Sequence, residues 1–415
     1  MTAHNEKTAS LVRNVLSLPR GAWLLFLGTF LNKFGTFVIP YLAVYMGHLG
    51  YSVRDAGLAI GAYGAGTLGA CLLGGHLADR LGRRKTIVLS MVSSAAAMMC
   101  LSQAARLPMI LTLAGLAGLT GELYRPASSA LLADLVPSGL RVTAYAAYRM
   151  SFNAGWAFGP AVAGVLSAHS FLWLFVGNAS SAIVYGLVAW FAFPEDHHAR
   201  RVEGSLLDTW RVLRDDARLR QVMLAALLVG LVFVQAFSTM SLEITRSGFS
   251  SAIYGLVLSL NGWLVVLFEL PITSLTKRHP ARRMMALGFI LVGIGFASNL
   301  LARTIPMMIL TTALFTLGEM TSMPVSGAYV ADLAPADRRG LYMGAYGMVW
   351  ALAMVFGPSL GMMLFSVSRP ALWATCGLFG LLASAVILAR VRSTPQAAPT
   401  AGIATTLSLD PPPPG

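Results

Sequence analysis

The sequence predicts an all-α integral membrane protein: twelve transmembrane helices arranged as two pseudo-symmetric six-helix bundles. Three observations carry that prediction. Of 415 residues, 56% are hydrophobic and 11% charged, where a soluble globular domain carries roughly 25% charged. Apolar runs long enough to cross a hydrocarbon core of ~30 Å recur twelve times. The second six runs repeat features of the first six across a polar interval.

In chain order the first six runs are 22–46, 56–77, 86–104, 108–134, 143–166 and 170–193. The last six are 219–242, 252–275, 284–302, 306–331, 341–366 and 370–391. Lys7, Arg13 and Arg20 precede the first run, which lacks a small-residue cleavage site and so reads as a retained span, not a signal peptide. Residues 194–218, PEDHHARRVEGSLLDTWRVLRDDAR, are dense in both signs and read as a linker, with His197 and His198 solvated there. Residues 393–415, rich in Pro, Ala and Thr and ending PPPPG, read as a disordered tail. The expected domains are therefore 1–193, 194–218, 219–392 and 393–415.

A net charge of +13 raises the question of nucleic acid, but the cations sit in short loops between apolar runs, which is a topology signal. With the N-terminus placed in the cytoplasm, that side holds 22 Lys and Arg and the other side five, namely Arg54, Arg106, Arg246, Arg303 and Arg369. Lys33, Arg125 and Arg149 lie within spans. Both termini, the linker and the tail are expected on the cytoplasmic side. Cys71, Cys100 and Cys376 each sit alone in an apolar run, which indicates packing residues and neither a disulfide framework nor a metal cluster.

A shift of 198 residues aligns PASSALLADLVPSGLRVTAYAAYRM, from Pro126, with PVSGAYVADLAPADRRGLYMGAYGM, from Pro324. It matches Asp134 with Asp332, Arg141 with Arg339, Tyr148 with Tyr346 and Pro160 with Pro358, giving fifteen identities in 41 positions. The halves are an internal duplication in parallel repeat, the architecture of transporters that rock one half against the other.

The loop after the second span reads GHLADRLGRRK, residues 75–85. Glycines permit a tight turn, and a carboxylate among cations can form a charge lattice that also caps a helix N-terminus. In Gly75, Leu77, Asp79, Arg80, Gly82, Arg83, Arg84 and Lys85 the chain resembles the major facilitator superfamily, and within it the twelve-span drug:proton antiporters. The resemblance implies that this loop latches the outward-facing state, with Asp79 and Arg83 pairing near Asp134 and Gly340, and with Arg141 in the same lattice. The second copy, TSLTKRHPARR at 273–283, has Lys277 for the acid and Pro280 for the glycine, so the halves are expected to latch unequally.

NAGWAFGPAVAG, residues 153–164, places Gly155, Gly159, Pro160 and Gly164 where that family's exporters carry a helix-packing motif, although Ala163 replaces a frequent glycine. Glycines four apart let helix backbones approach, and Pro160 removes a backbone hydrogen bond. The eleventh span repeats FGPSLG, as a duplicated packing device would. GAGTLG, residues 64–69, lies in mid-span with no preceding strand, so it is not a dinucleotide site. With Gly57 and Gly61 it reads as a packing face. The sequence contains no Walker A, HExxH or GxSxG pattern. The protein is therefore expected to be no enzyme, to need no cofactor, and to draw on a proton gradient.

An ionised group in mid-membrane costs roughly 2.5–3.5 kcal/mol on insertion scales. Six deep candidates stand out: Lys33, Glu122, Arg125, Arg149, Glu269 and Glu319. Three are cations and three anions, as mutual compensation requires. Glu122 and Arg125, at i and i+3, share a helix face, so one reading has them neutralise each other. The resemblance implies that spans one, four, seven and ten line a central cavity, which places Lys33, Glu122, Arg125 and Glu319 there. Burial opposes the charged form of a carboxyl group and a nearby cation supports it, which makes Glu122 and Glu319 candidates for proton coupling or substrate binding, with Lys33, Arg125 and Asn32 beside them. Arg149 and Glu269 lie nearer the cytoplasmic ends and read as a snorkelling pair or an inter-helix latch. Gln235, Asn261, Asn153 and Trp156 are expected to add polarity or an aromatic wall to the cavity. The arginine usual in the family's fourth-span motif is missing from LAGLAGLTG, and Arg125 lies one to two turns beyond it.

The function expected is proton-coupled export of small amphipathic molecules of the multidrug type. The alternatives are proton-coupled uptake or exchange of an anionic metabolite, and a transport-dead sensor or scaffold. The resemblance implies a bacterial-type inner membrane, a small-molecule substrate, protons and lipid as partners, and a monomer.

Overall fold

The computed structural model describes residues 15–137, 140–194, 214, 216–335 and 339–390. Lys7, Arg13, His197, His198, nearly all of the expected linker and the whole expected tail lie outside the described residues, as does the segment 336–338 beside Gly340.

The described chain is helical throughout, with no strand. The first six spans are built from α1 (Arg20–Phe34), α2 (Val38–His48), α3 (Val53–Leu81), α4 (Arg83–Ser102), α5 (Leu107–Glu122), α6 (Tyr124–Leu135), α7 (Arg141–His169) and α8 (Leu172–Ala192). The next six are built from α9 (Ala217–Phe233), α10 (Thr239–Arg246), α11 (Ser251–Thr276), α12 (Ala281–Ala297), α13 (Ile305–Leu333), α14 (Arg339–Val367) and α15 (Arg369–Leu388). Eleven of the resulting segments are long and apolar enough to cross a membrane, and α7, 29 residues long and carrying Arg149, lies between two of them.

Local chemistry sets the ends and breaks. Ser52 and Asp55 form a reciprocal capping box at the start of α3, and Asp216 caps α9 through the Arg218 and Leu219 amides. The fourth span lapses at Leu123, between α5 and α6. Pro126 has no N–H to give the Glu122 carbonyl, so the ladder weakens at the turn that carries the acid. The seventh span passes through a 3-10 turn at Val234–Phe237 before α10. There the Gln235 amide nitrogen lies 2.9 Å from both the Leu231 and Gly357 carbonyls, while its oxygen accepts from Ser238 and Thr239. Gln235 therefore splints a helix break and does not supply cavity polarity, contrary to expectation; it is fully enclosed because the break's loose backbone groups need partners.

The two halves meet at the end of the bundle remote from the termini. There α3 packs on α14 and α7 on α11. A Cβ added at Gly57 would lie 3.1 Å from Ser359 Cα, one at Gly61 2.8 Å from the Val355 carbonyl, and one at Gly64 against the Met354 carbonyl. Gly255 and Gly262 meet Pro160 and Ala157 in the same way across the α7–α11 seam. Tyr41 Oη lies 3.0 Å from the Pro160 carbonyl and 3.2 Å from the Ser251 carbonyl, and Ser359 donates to the Gly57 carbonyl at 3.0 Å. One apolar core here contains residues of both halves, including Tyr41, Ile60, Leu258 and Met362. A second core belongs to the first half alone and surrounds Tyr124 and Tyr185.

Toward the termini the halves part. A Cβ added at Gly75, Gly327, Gly344 or Gly347 would meet nothing within 4 Å among the described residues, so the inner turns of α3, α13 and α14 face open space. Of the cysteines, Cys376 is buried as expected but Cys71 and Cys100 are exposed, and Cys71 lies within electrostatic reach of Glu122 and Arg125.

Replacing Gly64 or Gly262 by Leu is expected to hold the remote end open. Spin-label distances across that end should widen by several ångströms in each variant, and an unchanged distance would show that the glycine contacts do not close it.

Candidate functional site

The site grows from α1, where Gly155 and Gly159 of α7 let two backbones approach. A Cβ at Gly155 would stand 2.7 Å from Lys33 Cβ and from the Phe34 amide, and one at Gly159 would stand 3.2 Å from the Phe34 carbonyl carbon. Gly164 meets Ala252 Cα at 2.9 Å. This close approach seats Lys33, 4% exposed, deep in the first half.

Lys33 Nζ lies 2.7 Å from Glu122 Oε1. Arg125 Nη1 lies 3.3 Å from Glu122 Oε2, one helical turn along the same face. Both cations stand over the Phe152 ring, at 5.1 Å for Lys33 and 5.4 Å for Arg125, and Lys33 also stands 5.5 Å from the centre of the Tyr124 ring. Glu122 is buried, whereas the Arg125 side chain is 52% exposed. Lys33 is therefore the closer partner of Glu122 and Arg125 the more exposed one. Asn32 does not face this group's charges: its amide approaches Met91 Sδ at 3.3 Å between α1 and α4. Its place one residue before Lys33 turns it about 100° away around the helix.

On the other wall, Glu319 of α13 accepts from Asn261 Nδ2 at 2.7 Å, and that amide also lies 2.9 Å from Thr316 Oγ1. Glu319 has no cation within ion-pair distance among the described residues. Between the walls lies a cavity of about 110 Å³ lined by Phe152, Trp156, Phe233, Phe237, Asn261 and Glu319 together with Asn153 and apolar residues of α11. Trp156 and Phe237 meet across it with ring centres 5.1 Å apart. Asn153, Asn261 and Trp156 thus occupy the cavity as expected.

Arg149 of α7 and Glu269 of α11 form an ion pair across the two halves, and Asn153 Nδ2 adds a contact to Glu269 at 3.4 Å. Arg149 acts on Glu319 only through the longer-range field. Six charges that balance in number are therefore not paired one to one: Glu122 holds two cations and Glu319 none.

In the loop lattice, Arg83 pairs with Asp134 and donates to the Ala130 carbonyl at 3.0 Å, tying α4 to α6. Arg84 lies over the Trp190 ring at 4.9 Å, and Arg141 Nε approaches the Val136 carbonyl at 3.4 Å. Asp79 makes no ion pair among the described residues, and its open surroundings beside Gly75 supply none at this end. In the second copy, Arg282 instead binds the Ile387 carbonyl at 2.8 Å and the Ala389 carbonyl, at the C-terminus of α15. The counterpart of Arg83 there is Ala281, so this copy joins a cation to a helix end in place of a carboxylate.

One buried acid escaped the sequence reading. Glu243 of α10, 2% exposed, pairs with Arg369 and accepts from Trp373 Nε1 at 3.1 Å. Its position at the end of an apolar run resembles an ordinary boundary residue, and only the approach of α15 encloses it. It pins the broken seventh span to the twelfth, away from the cavity.

The profile of the Major Facilitator Superfamily matches residues 25–252 and 237–411. The chain is 30% identical over 381 residues to the multidrug resistance protein MdtH of Cronobacter sakazakii, covering 87% of this chain and 92% of that one. It is 28% identical over 356 residues to the MFS-type transporter YttB of Bacillus subtilis, covering 83% and 88%. It is 25% identical over 370 residues to a Na(+), Li(+), K(+)/H(+) antiporter of Planococcus maritimus, covering 79% and 85%. The fold superimposes on a D-xylose-proton symporter with a TM-score of 0.73 at 15% identity, covering 88% of this chain and 96% of that one.

Removing one member of a buried pair costs roughly 3–5 kcal/mol, because the other charge is left unmet, whereas a half-exposed partner contributes under about 1 kcal/mol. Glu122→Gln is therefore expected to lower the melting temperature of the purified protein much more than Arg125→Gln. The double variant Lys33→Met, Glu122→Gln should recover part of the loss. Equal effects of the two single variants would contradict the assignment of Lys33 as the main partner.

Proposed function

This chain belongs to the major facilitator superfamily, and from that premise we propose that it exports small amphipathic molecules across a bacterial-type inner membrane in exchange for protons. The observation that carries the proposal is the unequal pairing of Glu122 in the first half and Glu319 in the second, with Glu319 on the cavity wall. Protonating Glu122 would leave Lys33 and Arg125 both without an anion. Protonating Glu319 leaves no cation unmet, so Glu319 is the proton carrier and Glu122 the fixed counter-ion of the opposite wall.

The cycle follows from the geometry. With both termini cytoplasmic, the open end faces the cytoplasm and the glycine-packed end faces outward. Substrate enters between aromatic walls and meets Glu319 without a proton. Rocking then closes the α3, α13 and α14 turns at the cytoplasmic end and opens the α3–α14 and α7–α11 seams. Outside, protonation of Glu319 cancels its attraction for substrate, and the neutral wall allows return. Asp79, open here, finds its latch partner near Gly340 in the outward-facing state. The expected linker and tail lie on the cytoplasmic side, and a single chain holds the complete site.

The overall similarity to a multidrug resistance protein supports export. Uptake of a purely anionic metabolite accounts for Arg125 but gives Glu319 no role, and a scaffold needs neither.

Efflux of a panel of amphipathic dyes from cells expressing the protein tests the proposal. Efflux should stop with a protonophore and should not require Na+. In proteoliposomes, Glu319→Gln should abolish uphill transport driven by a pH gradient and should weaken substrate binding, since the amide copies the protonated acid. Gradient-driven transport by Glu319→Gln at the native rate would remove Glu319 as the carrier.

A further inference from the structure

The second-half wall of the cavity carries a hydrogen-bonded unit whose polarity is fixed. Thr316 and Glu319, three residues apart on one face of α13, both receive the Asn261 amide of α11: its nitrogen lies 2.7 Å from Glu319 Oε2 and 2.9 Å from Thr316 Oγ1. The Thr316 hydroxyl gives its own proton to the Thr312 carbonyl at 2.6 Å, so its oxygen can only accept, as an ionised carboxylate does. Asn261 must therefore turn its NH2 group toward this pair and its Oδ1 away from it.

Two acceptors are left over. Glu319 Oε1 and Asn261 Oδ1 have no donor among the described residues, and both side chains line the cavity. The 2.7 Å bond between the two residues makes them neighbours on one wall. Most of the remaining lining is apolar, with the rings of Phe152, Trp156, Phe233 and Phe237. Phe152 already carries Lys33 at 5.1 Å and Arg125 at 5.4 Å. Positive charge therefore stands behind that ring, and a cationic head is driven from it toward Glu319.

Resting on the reading of this cavity as the transport site, we propose that Asn261 is its specificity-determining residue and that the preferred substrate is a primary ammonium, an amine that keeps its N–H groups, on an apolar skeleton. One N–H meets Glu319 Oε1, a second meets Asn261 Oδ1, and the adjoining carbons lie against Trp156, Phe233 and Phe237. A quaternary ammonium carries the same charge and finds the same rings, but it offers no donor. Closing the cavity over it would leave both oxygens without water and without a partner. A site built to hydrogen-bond an N–H rejects an analogue that lacks it far more strongly than an apolar pocket rejects a change of size. A neutral alcohol offers a donor but leaves the Glu319 charge unmet. The cavity of about 110 Å³ is well below the roughly 300 Å³ at which drug-sized pockets begin, so it takes the head group and the carbons next to it.

Equilibrium binding to the purified full-length protein in nanodiscs tests this, read by ligand-observed NMR at one mildly alkaline pH and without any gradient. The three probes share one tetrahedral outline: tert-butylammonium, tetramethylammonium and neutral tert-butanol. An alkylammonium stays charged at that pH. The tert-butylammonium ion should bind at least about 10-fold more tightly than either of the others, a difference of about 1.4 kcal/mol. Asn261→Leu, which removes one acceptor, should cut its lead over tetramethylammonium to about 3-fold or less. Glu319→Gln should abolish its lead over tert-butanol. Equal binding of the two cations by the native protein overturns the proposal and makes the site an aromatic cage, and that comparison needs no variant. A lead over tetramethylammonium that Asn261→Leu leaves intact overturns it too, as does absence of tert-butylammonium binding. Because no gradient is applied, a failure of proton coupling leaves this ranking untouched, and a failed ranking leaves proton-driven dye export untouched.

Discussion

Mid-membrane charge must be compensated, and in this protein the compensation is uneven. Lys33 and Arg125 both lean on Glu122, while among the described residues Glu319 has only the Asn261 amide. Each ion placed there costs roughly 2.5–3.5 kcal/mol on insertion scales unless met, and on the proposed function something else completes the arrangement in turn. In the proposed cycle that role passes between a proton and a substrate. A carboxylate already held by two cations cannot serve so, because discharging it would strand both of them. On that proposal, stability of the first half and chemistry of the second are divided between two acids at similar depth in the duplicated segments.

The fold supplies this division through backbone proximity. Gly155 and Gly159 let α7 press against α1 and bury Lys33. Pro126 loosens the fourth span at Glu122, and the 3-10 turn splinted by Gln235 bends the seventh span beside the cavity. The remote end is sealed by glycine-to-carbonyl contacts that cross the halves. The Met354 carbonyl met by Gly64 is the one that Pro358 leaves without its helical donor, so the same proline that loosens a helix also provides the contact. At the open end, Arg149 and Glu269 bridge α7 and α11. Among the described residues the halves thus have a tightly packed seam at one end and one ion pair across them near the other, which suits rocking about the middle.

Much of this was legible in the sequence, and the exceptions have physical causes. The spans, the duplication and the aromatic and amide lining were readable because hydrophobic period and repeat are local properties. Glu122 and Arg125 were paired by their spacing on one helix face. The Lys33 partnership was not readable, since it depends on the vertical register of α1 against α5, which no local pattern encodes. A balance of three cations and three anions pointed to complete compensation, yet a sum says nothing about who pairs with whom. Gln235 and Asn32 looked like cavity residues because polarity in a span attracts that reading, but one serves a helix break and the other a sulfur contact. Glu243 was overlooked because the end of an apolar run is where ordinary boundary acids sit, and its burial comes from α15, 130 residues away in sequence.

The division of labour between the two acids is open to direct observation by infrared difference spectroscopy of the purified protein, following the carboxyl stretch as pH is changed without substrate. A protonated-carboxyl band that appears in the native protein, persists in Glu122→Gln and vanishes in Glu319→Gln is the expected result. A band that survives in Glu319→Gln and vanishes in Glu122→Gln would contradict it, and would make the doubly paired acid the carrier.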